Sequence, residues 1–126
     1  MTAELFRLEE TIDSPLVVIK SDSPHIMISG VSMPENSYEF YSPIETKALE
    51  LLKDRGNDIL IEIELSYLNS MSGKQLLQLI RKISYNHSGL KVVWKYKTDD
   101  DLMRIKGEDI KRICPAINIE LVGVRS

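Results

Sequence analysis

Apolar positions along this chain change period several times, and each change marks a candidate element. LVVIK (16–20) and HIMISG (25–30) are short β-branched runs on either side of the turn-forming SDSP (21–24), which predicts an antiparallel hairpin. ELFRLE (4–9) predicts a short edge strand before it, whereas VSMPENSYEFYSP has no clean period and reads as a loop or partly extended stretch. A first helix is then expected from Ser42, with Ser42 as N-cap, Pro43 at the first helical position and Glu45 three residues after the cap. Ile44, Ala48, Leu51 and Leu52 give this helix an apolar face, and Gly56 suits a left-handed residue closing it.

ILIEIEL (59–65) places Ile59, Ile61, Ile63 and Leu65 on one side and Leu60, Glu62 and Glu64 on the other, the mark of a strand with one buried face. A second helix is predicted over residues 72–85. Leu76, Leu77, Ile80 and Ile83 form its stripe, and Ser72 with Gln75 offers a capping box. LKVVWKY (90–96) is a further strand. A third helix follows, capped by Thr98 with Asp101, carrying Leu102, Ile105, Ile110 and Ile113 as its core face, interrupted near Gly107 and ended by Pro115. INIELVGV (117–124) is the last strand. Alternation of strand and helix predicts an α/β mixed sheet: an N-terminal antiparallel hairpin, parallel later strands and about three helices, mostly on one face. No repeat, linker or low-complexity segment interrupts the 126 residues, so one domain spanning 1–126 is expected.

Charge refines this reading. Residues 1–64 carry 13 acids and 5 bases, and residues 65–126 carry 6 acids and 11 bases, for a net charge of -3. That balance disfavours broad nucleic-acid binding and predicts either attraction between the halves or one acidic and one basic face. The start MTAELFRLEE has no signal-peptide pattern and no apolar run approaches a membrane span, so no membrane insertion and a cytoplasmic location are expected. Cys114, the only cysteine, lies in RICPAI and reads as a buried structural thiol.

Catalytic chemistry finds little support. His25 opens a strand and His87 suits a helix end, and neither sits in a cluster with metal-ligand spacing. SGK (72–74) lacks the upstream glycines and the following hydroxyl of a phosphate-binding loop, and the acids 99–101 suit a helix start better than a magnesium site. No catalytic residue, metal or cofactor is expected. Polar residues beside aromatic ones remain. PENSYEFY offers Glu35, Asn36, Tyr38 and Glu39 for protein recognition, or simply for packing at a sheet edge with Asn36 capping a turn. NSMSGK (69–74) places two serines, a glycine and a lysine where a strand hands over to a helix.

Taken together, MPENSYEFY (33–41), IEIELSYLNSMSGKQLLQLI (61–80), VVWKYKTDDD (92–101) and GED (107–109) resemble the SiaC-like family of bacterial biofilm-regulation phosphoproteins over nearly the whole chain. The resemblance implies a STAS-like (anti-sigma-factor-antagonist-like) fold. It implies a serine or threonine at the strand-to-helix junction that is phosphorylated by a cognate serine/threonine kinase and freed by a metal-dependent serine/threonine phosphatase. The unphosphorylated form would bind and activate a diguanylate cyclase. The family pattern at the junction is similar to LN[ST]SS. Here LNSMS puts the phosphoacceptor on Ser70, with Ser72 as rival, and replaces the second hydroxyl by Met71. Asn69 would set the turn, Lys74 would help accommodate the phosphate, and Glu35, Asn36, Tyr38 and Glu39 would flank the docking surface. The alternative function under the same fold is an anti-sigma-factor antagonist that switches partners on an anti-sigma kinase.

Overall fold

The computed structural model describes residues 4–21 and 24–125. Among these residues six strands form one sheet in sequence order, and three helices connect the last four strands. Strands β1 (Glu4–Leu8), β2 (Leu16–Lys20) and β3 (His25–Ser32) pair antiparallel, while β3, β4 (Leu60–Leu68), β5 (Lys91–Lys97) and β6 (Asn118–Val124) run parallel. The predicted hairpin is therefore present, although Asp22 and Ser23 of its turn lie outside the described residues. The architecture is the STAS-like mixed sheet that the resemblance implies.

Each parallel crossover joins neighbouring strands in one direction. Right-handed crossovers of that kind put every connecting helix on the same face. The burial pattern agrees. Ile26, Ile28, Ile61, Ile63, Val92, Trp94 and Ile119 are buried beneath the helices. On the opposite face, Glu62 pairs with Lys95 at 3.4 Å and Lys91 with Glu120 at 3.0 Å. His25 lies 3.9 Å from Glu62, but burial outweighs that carboxylate and keeps its pKa below the ordinary value.

The helices correct several expectations. Helix α1 is Ser37–Leu52, capped by Asn36, whose side chain accepts the Glu39 N–H at 3.0 Å. It starts five residues before the expected Ser42 cap, and Pro43 lies within it. Two N-terminal signatures compete here, Asn36 with Glu39 and Ser42 with Glu45. The earlier one wins because it buries Tyr41, whose hydroxyl meets Ser32 Oγ at 2.6 Å. An interior proline costs about 3 kcal/mol, a penalty that this burial and the Asn36 cap offset. Gly56 does adopt the left-handed conformation (φ 84°), but beyond the C-cap residue Lys53.

Helix α2 is Ser70–Asn86, so its cap is Asn69 and the expected Ser72–Gln75 capping box does not form. Leu76, Leu79, Ile80 and Ile83 are its buried stripe, with Leu77 only half-buried. Helix α3 is Asp101–Ile113, capped by Asp100 rather than Thr98, the Asp100 side chain accepting the Met103 N–H at 3.1 Å. Its buried face is Met103, Gly107 and Ile110, whereas Leu102, Ile105 and Ile113 are exposed. Gly107 does not break the helix; it is the point of closest approach to the sheet. A Cβ there would stand 2.4 Å from Trp94 Cδ1. Cys114 is buried and free, and His87 forms the α2 C-cap, its Nδ1 lying 2.6 Å from the Gly56 carbonyl.

Candidate functional site

All three helices begin at the C-terminal ends of β3, β4 and β5, the edge where open parallel sheets gather their binding residues. The β3–β4 pairing runs to this edge, where Ser32 partners Leu68 and the Asn69 N–H reaches the Ser32 carbonyl at 3.1 Å. Asn69 then turns the chain into α2. Its Oδ1 accepts the Ser72 N–H at 2.8 Å, and its backbone carbonyl accepts the Gly73 N–H at 2.9 Å. The cap and the first turn of α2 are thereby fixed, and Ser70, Met71 and Ser72 take three distinct directions.

Ser72 points inward. It is 0 % exposed, and its Oγ lies 3.0 Å from Ser37 Oγ, also buried, in the first turn of α1. This serine pair locks the starts of α1 and α2 together. A kinase cannot reach the Ser72 hydroxyl without pulling the two helices apart. Ser70 points outward as the first residue of α2, where helix geometry leaves backbone N–H groups without carbonyl partners. Met71 is 57 % exposed.

Two cavities meet at this turn. One, of about 300 Å³, is lined by Pro34, Glu35, Asn36, Ser37, Tyr38, Asn69 and Met71. It joins the PENSY segment to the junction motif, which are far apart in sequence. Glu35, Asn36, Tyr38 and Glu39 are all exposed, Tyr38 at 63 %. Asn36 serves as a helix cap as well, and Glu39 lies in the first turn of α1 but outside the cavity lining. The second cavity, of about 250 Å³, is a groove between α2 and α3 that contains Ser70 and Lys74, with Leu77, Ile110 and Ile113 as apolar walls.

Lys106 and Asp109, also in the groove, come from α3; Lys106 escaped the sequence reading, and Asp109 entered it only within GED (107–109), with no role assigned. The Lys106 ammonium donates to the Leu68 carbonyl and sits over the Tyr67 ring, 5.8 Å from its centroid. No local pattern marks this lysine, because the contact depends on how α3 packs across the end of β4. Behind the site, burial pushes the Tyr41 hydroxyl up to about 12, partly opposed by its hydrogen bond with Ser32. Tyr41 is therefore a neutral structural strut that holds α1 against β3.

Among the described residues, no group of three or more His, Cys, Asp or Glu is arranged to hold a metal, and no helix is long and apolar enough to cross a membrane. What the site offers is an accessible hydroxyl on a rigid turn between two recesses, with two lysines in the recess beside it.

Residues 8–124 match the SiaC family of regulatory phosphoproteins. An uncharacterized protein of Pseudomonas aeruginosa is 23 % identical over 107 residues, covering 82 % of this chain and 85 % of that protein. Among solved structures, SiaC of Pseudomonas aeruginosa in complex with the diguanylate cyclase SiaD, which it activates, superposes with a TM-score of 0.84 at 20 % identity, over 94 % of this chain and 99 % of that one. The apo form of SiaC from the same organism gives a TM-score of 0.79 at 19 % identity, covering 95 % and 98 % of the two chains.

Proposed function

Because the chain belongs to the SiaC family of regulatory phosphoproteins, we propose that it is a single-domain, non-enzymatic cytoplasmic switch in which the phosphorylation state of Ser70 controls docking onto a diguanylate cyclase. The bare form binds the cyclase and raises its activity. A serine/threonine kinase adds the phosphate and a metal-dependent phosphatase removes it. The observation that carries the reading is the division of labour between the two junction serines: Ser72 is sealed into the α1–α2 contact while Ser70 stands exposed between two recesses. The solved complex of a similar fold with a diguanylate cyclase supports the choice of partner.

The physics of the switch is local. A partner that lies over the α2 start, with PENSY on one side and the α2–α3 groove on the other, covers the Ser70 hydroxyl. Phosphorylation replaces it with a group of charge about -1.5 to -2 and a bulky hydration shell. A penalty of about 3 kcal/mol weakens docking by roughly two orders of magnitude. The fold itself is untouched, since the Ser70 side chain is outside the core.

The test is a pull-down from the native extract with wild type, Ser70→Ala and Ser70→Asp. Wild type and Ser70→Ala should recover a diguanylate cyclase and stimulate it, and Ser70→Asp should not. Recovery of a sigma-factor regulator alone overturns the partner assignment. Phosphate mapped only to Ser72 in cells overturns the site.

A further inference from the structure

The groove beside Ser70 has a cationic wall supplied by another helix. Lys106 reaches across from α3 to the Leu68 carbonyl, two residues before Ser70 in sequence, and rests over the Tyr67 ring. Both partners are neutral, and among the described residues no carboxylate pairs with this ammonium. Lys74 stands one turn beyond Ser70 on the same face of α2 and lines the same groove. Asp109 is the acid in that lining, and it is engaged by Arg112 at 2.9 Å. The groove therefore presents two lysines, and one of them is held only by a carbonyl and a ring.

We propose that Lys106, with Lys74 beside it, is the seat for the phosphoryl group: once Ser70 is phosphorylated, Lys106 leaves the Leu68 carbonyl and closes on the phosphate. The proposal rests on the reading of Ser70 as the acceptor and adds how the mark is read. A charge-assisted hydrogen bond to a dianion is stronger than one to a neutral carbonyl, so the exchange runs downhill. The unpaired N–H groups at the start of α2 complete the seat from below. The consequence reaches beyond Ser70. A phosphate on α2 captured by a side chain of α3 draws the two walls of the groove together over Leu77, Ile110 and Ile113, and it strips the cation from Tyr67. A partner thus meets an altered groove as well as an added charge.

Phosphoserine installed at position 70 during translation allows a test independent of any kinase. A free phosphoserine has a second pKa of about 6. Neighbouring cations favour the dianion and lower that pKa. The groups that face the phosphate are Lys74, Lys106 and, opposing them, Asp109. A phosphorus-31 NMR titration of the phosphorylated protein should give a depressed value. Lys106→Met and Lys106→Gln should each raise it by about half a unit, a roughly threefold loss of preference for the dianion, and Lys106→Arg should keep it low. Titrations that coincide for wild type, Lys106→Met and Lys106→Gln, all folded by circular dichroism, overturn the seat while leaving Ser70 as the acceptor. Cellular mapping that always finds Ser70 bare removes the regulatory reading and the role of the seat together.

Discussion

Gly107→Ala should destabilise the protein, and Gly73→Ala should stabilise it, though both glycines lie inside helices. An alanine in place of an interior glycine gains about 0.5–1 kcal/mol, because the glycine chain has more freedom to lose on folding. What differs is the space for one methyl group. At Gly73 a Cβ meets only Leu68 Cδ2, at the ordinary contact distance of 3.9 Å. At Gly107 it would lie 2.4 Å from Trp94 Cδ1, 2.6 Å from Trp94 Nε1 and 2.8 Å from Leu121 Cδ2. Carbon atoms sit comfortably at about 3.5–4.0 Å, so something must retreat by about 1 Å. Trp94 has little room to do so, being 1 % exposed and held by its indole N–H to the Met103 carbonyl at 3.0 Å. Overpacking of this kind costs about 1–3 kcal/mol, and loss of the indole hydrogen bond adds about 1 kcal/mol. After the helix gain is subtracted, Gly107→Ala should cost roughly 1–3 kcal/mol. Trp94 is the only tryptophan, so urea unfolding followed by its fluorescence reports both the stability and the environment of the clash. A Gly107→Ala protein as stable as wild type, with unchanged emission, refutes the close-approach argument. The substitution also tests the site indirectly, because moving α3 away from Trp94 displaces the adjacent Lys106.

Asn69→Ala removes the side chain that accepts the Ser72 N–H, and urea unfolding should show a loss of about 1 kcal/mol with faster amide exchange at Ser72; unchanged exchange there would dismiss the cap. Tyr41→Phe leaves Ser32 Oγ without its 2.6 Å partner and should cost about 1–2 kcal/mol at neutral pH. Its effect should also depend on pH, since the folded state holds the Tyr41 hydroxyl up at about 12 against the ordinary 10.0. Above the lower value the unfolded chain releases the proton first, so this contribution is intact below pH 10.0 and is lost as pH rises towards 12. The stability gap between wild type and Tyr41→Phe should therefore shrink by about 1.4 kcal/mol between about pH 8 and about pH 11, and a gap that stays constant contradicts the burial argument.

Strands were far more legible than helix starts. The alternation of Ile59, Ile61, Ile63 and Leu65 against Glu62 and Glu64 reports a one-sided sheet directly, because period two admits one buried face. Helix α1 was misplaced because Ser42-Pro43 with Glu45 has every local mark of a helix start, and the choice of Asn36 depends on a contact between Tyr41 and Ser32 across two elements. The face of α3 is hidden from hydropathy for a related reason. Leu102, Ile105 and Ile113 look like core by hydropathy, yet the sheet is met by Met103, Gly107 and Ile110, since only a glycine lets the helix approach Trp94. Lys106 was invisible for the same cause: its neighbours belong to β4, and no local pattern encodes them.

The two junction serines, in contrast, were separable from the sequence once the helix start is known. Residues along a helix advance by about 100° each, so Ser70 and Ser72 stand about 200° apart and cannot share a face. Ser72 is in phase with Leu76, Leu79 and Ile83, the buried stripe, and Ser70 is in phase with Lys74, on the groove side. A helix capped by Asn69 therefore commits Ser72 to the core and Ser70 to the surface. Met71 falls between them and lines the recess shared with Pro34, Glu35 and Tyr38, and it is absent from the lining of the groove that holds Ser70. A side chain docked in this recess would meet the Met71 thioether beside Tyr38. The lysines lie on the Ser70 side alone, so if the two roles proposed above hold, partner choice and phosphate capture would sit on opposite sides of one helical turn and be free to diverge independently.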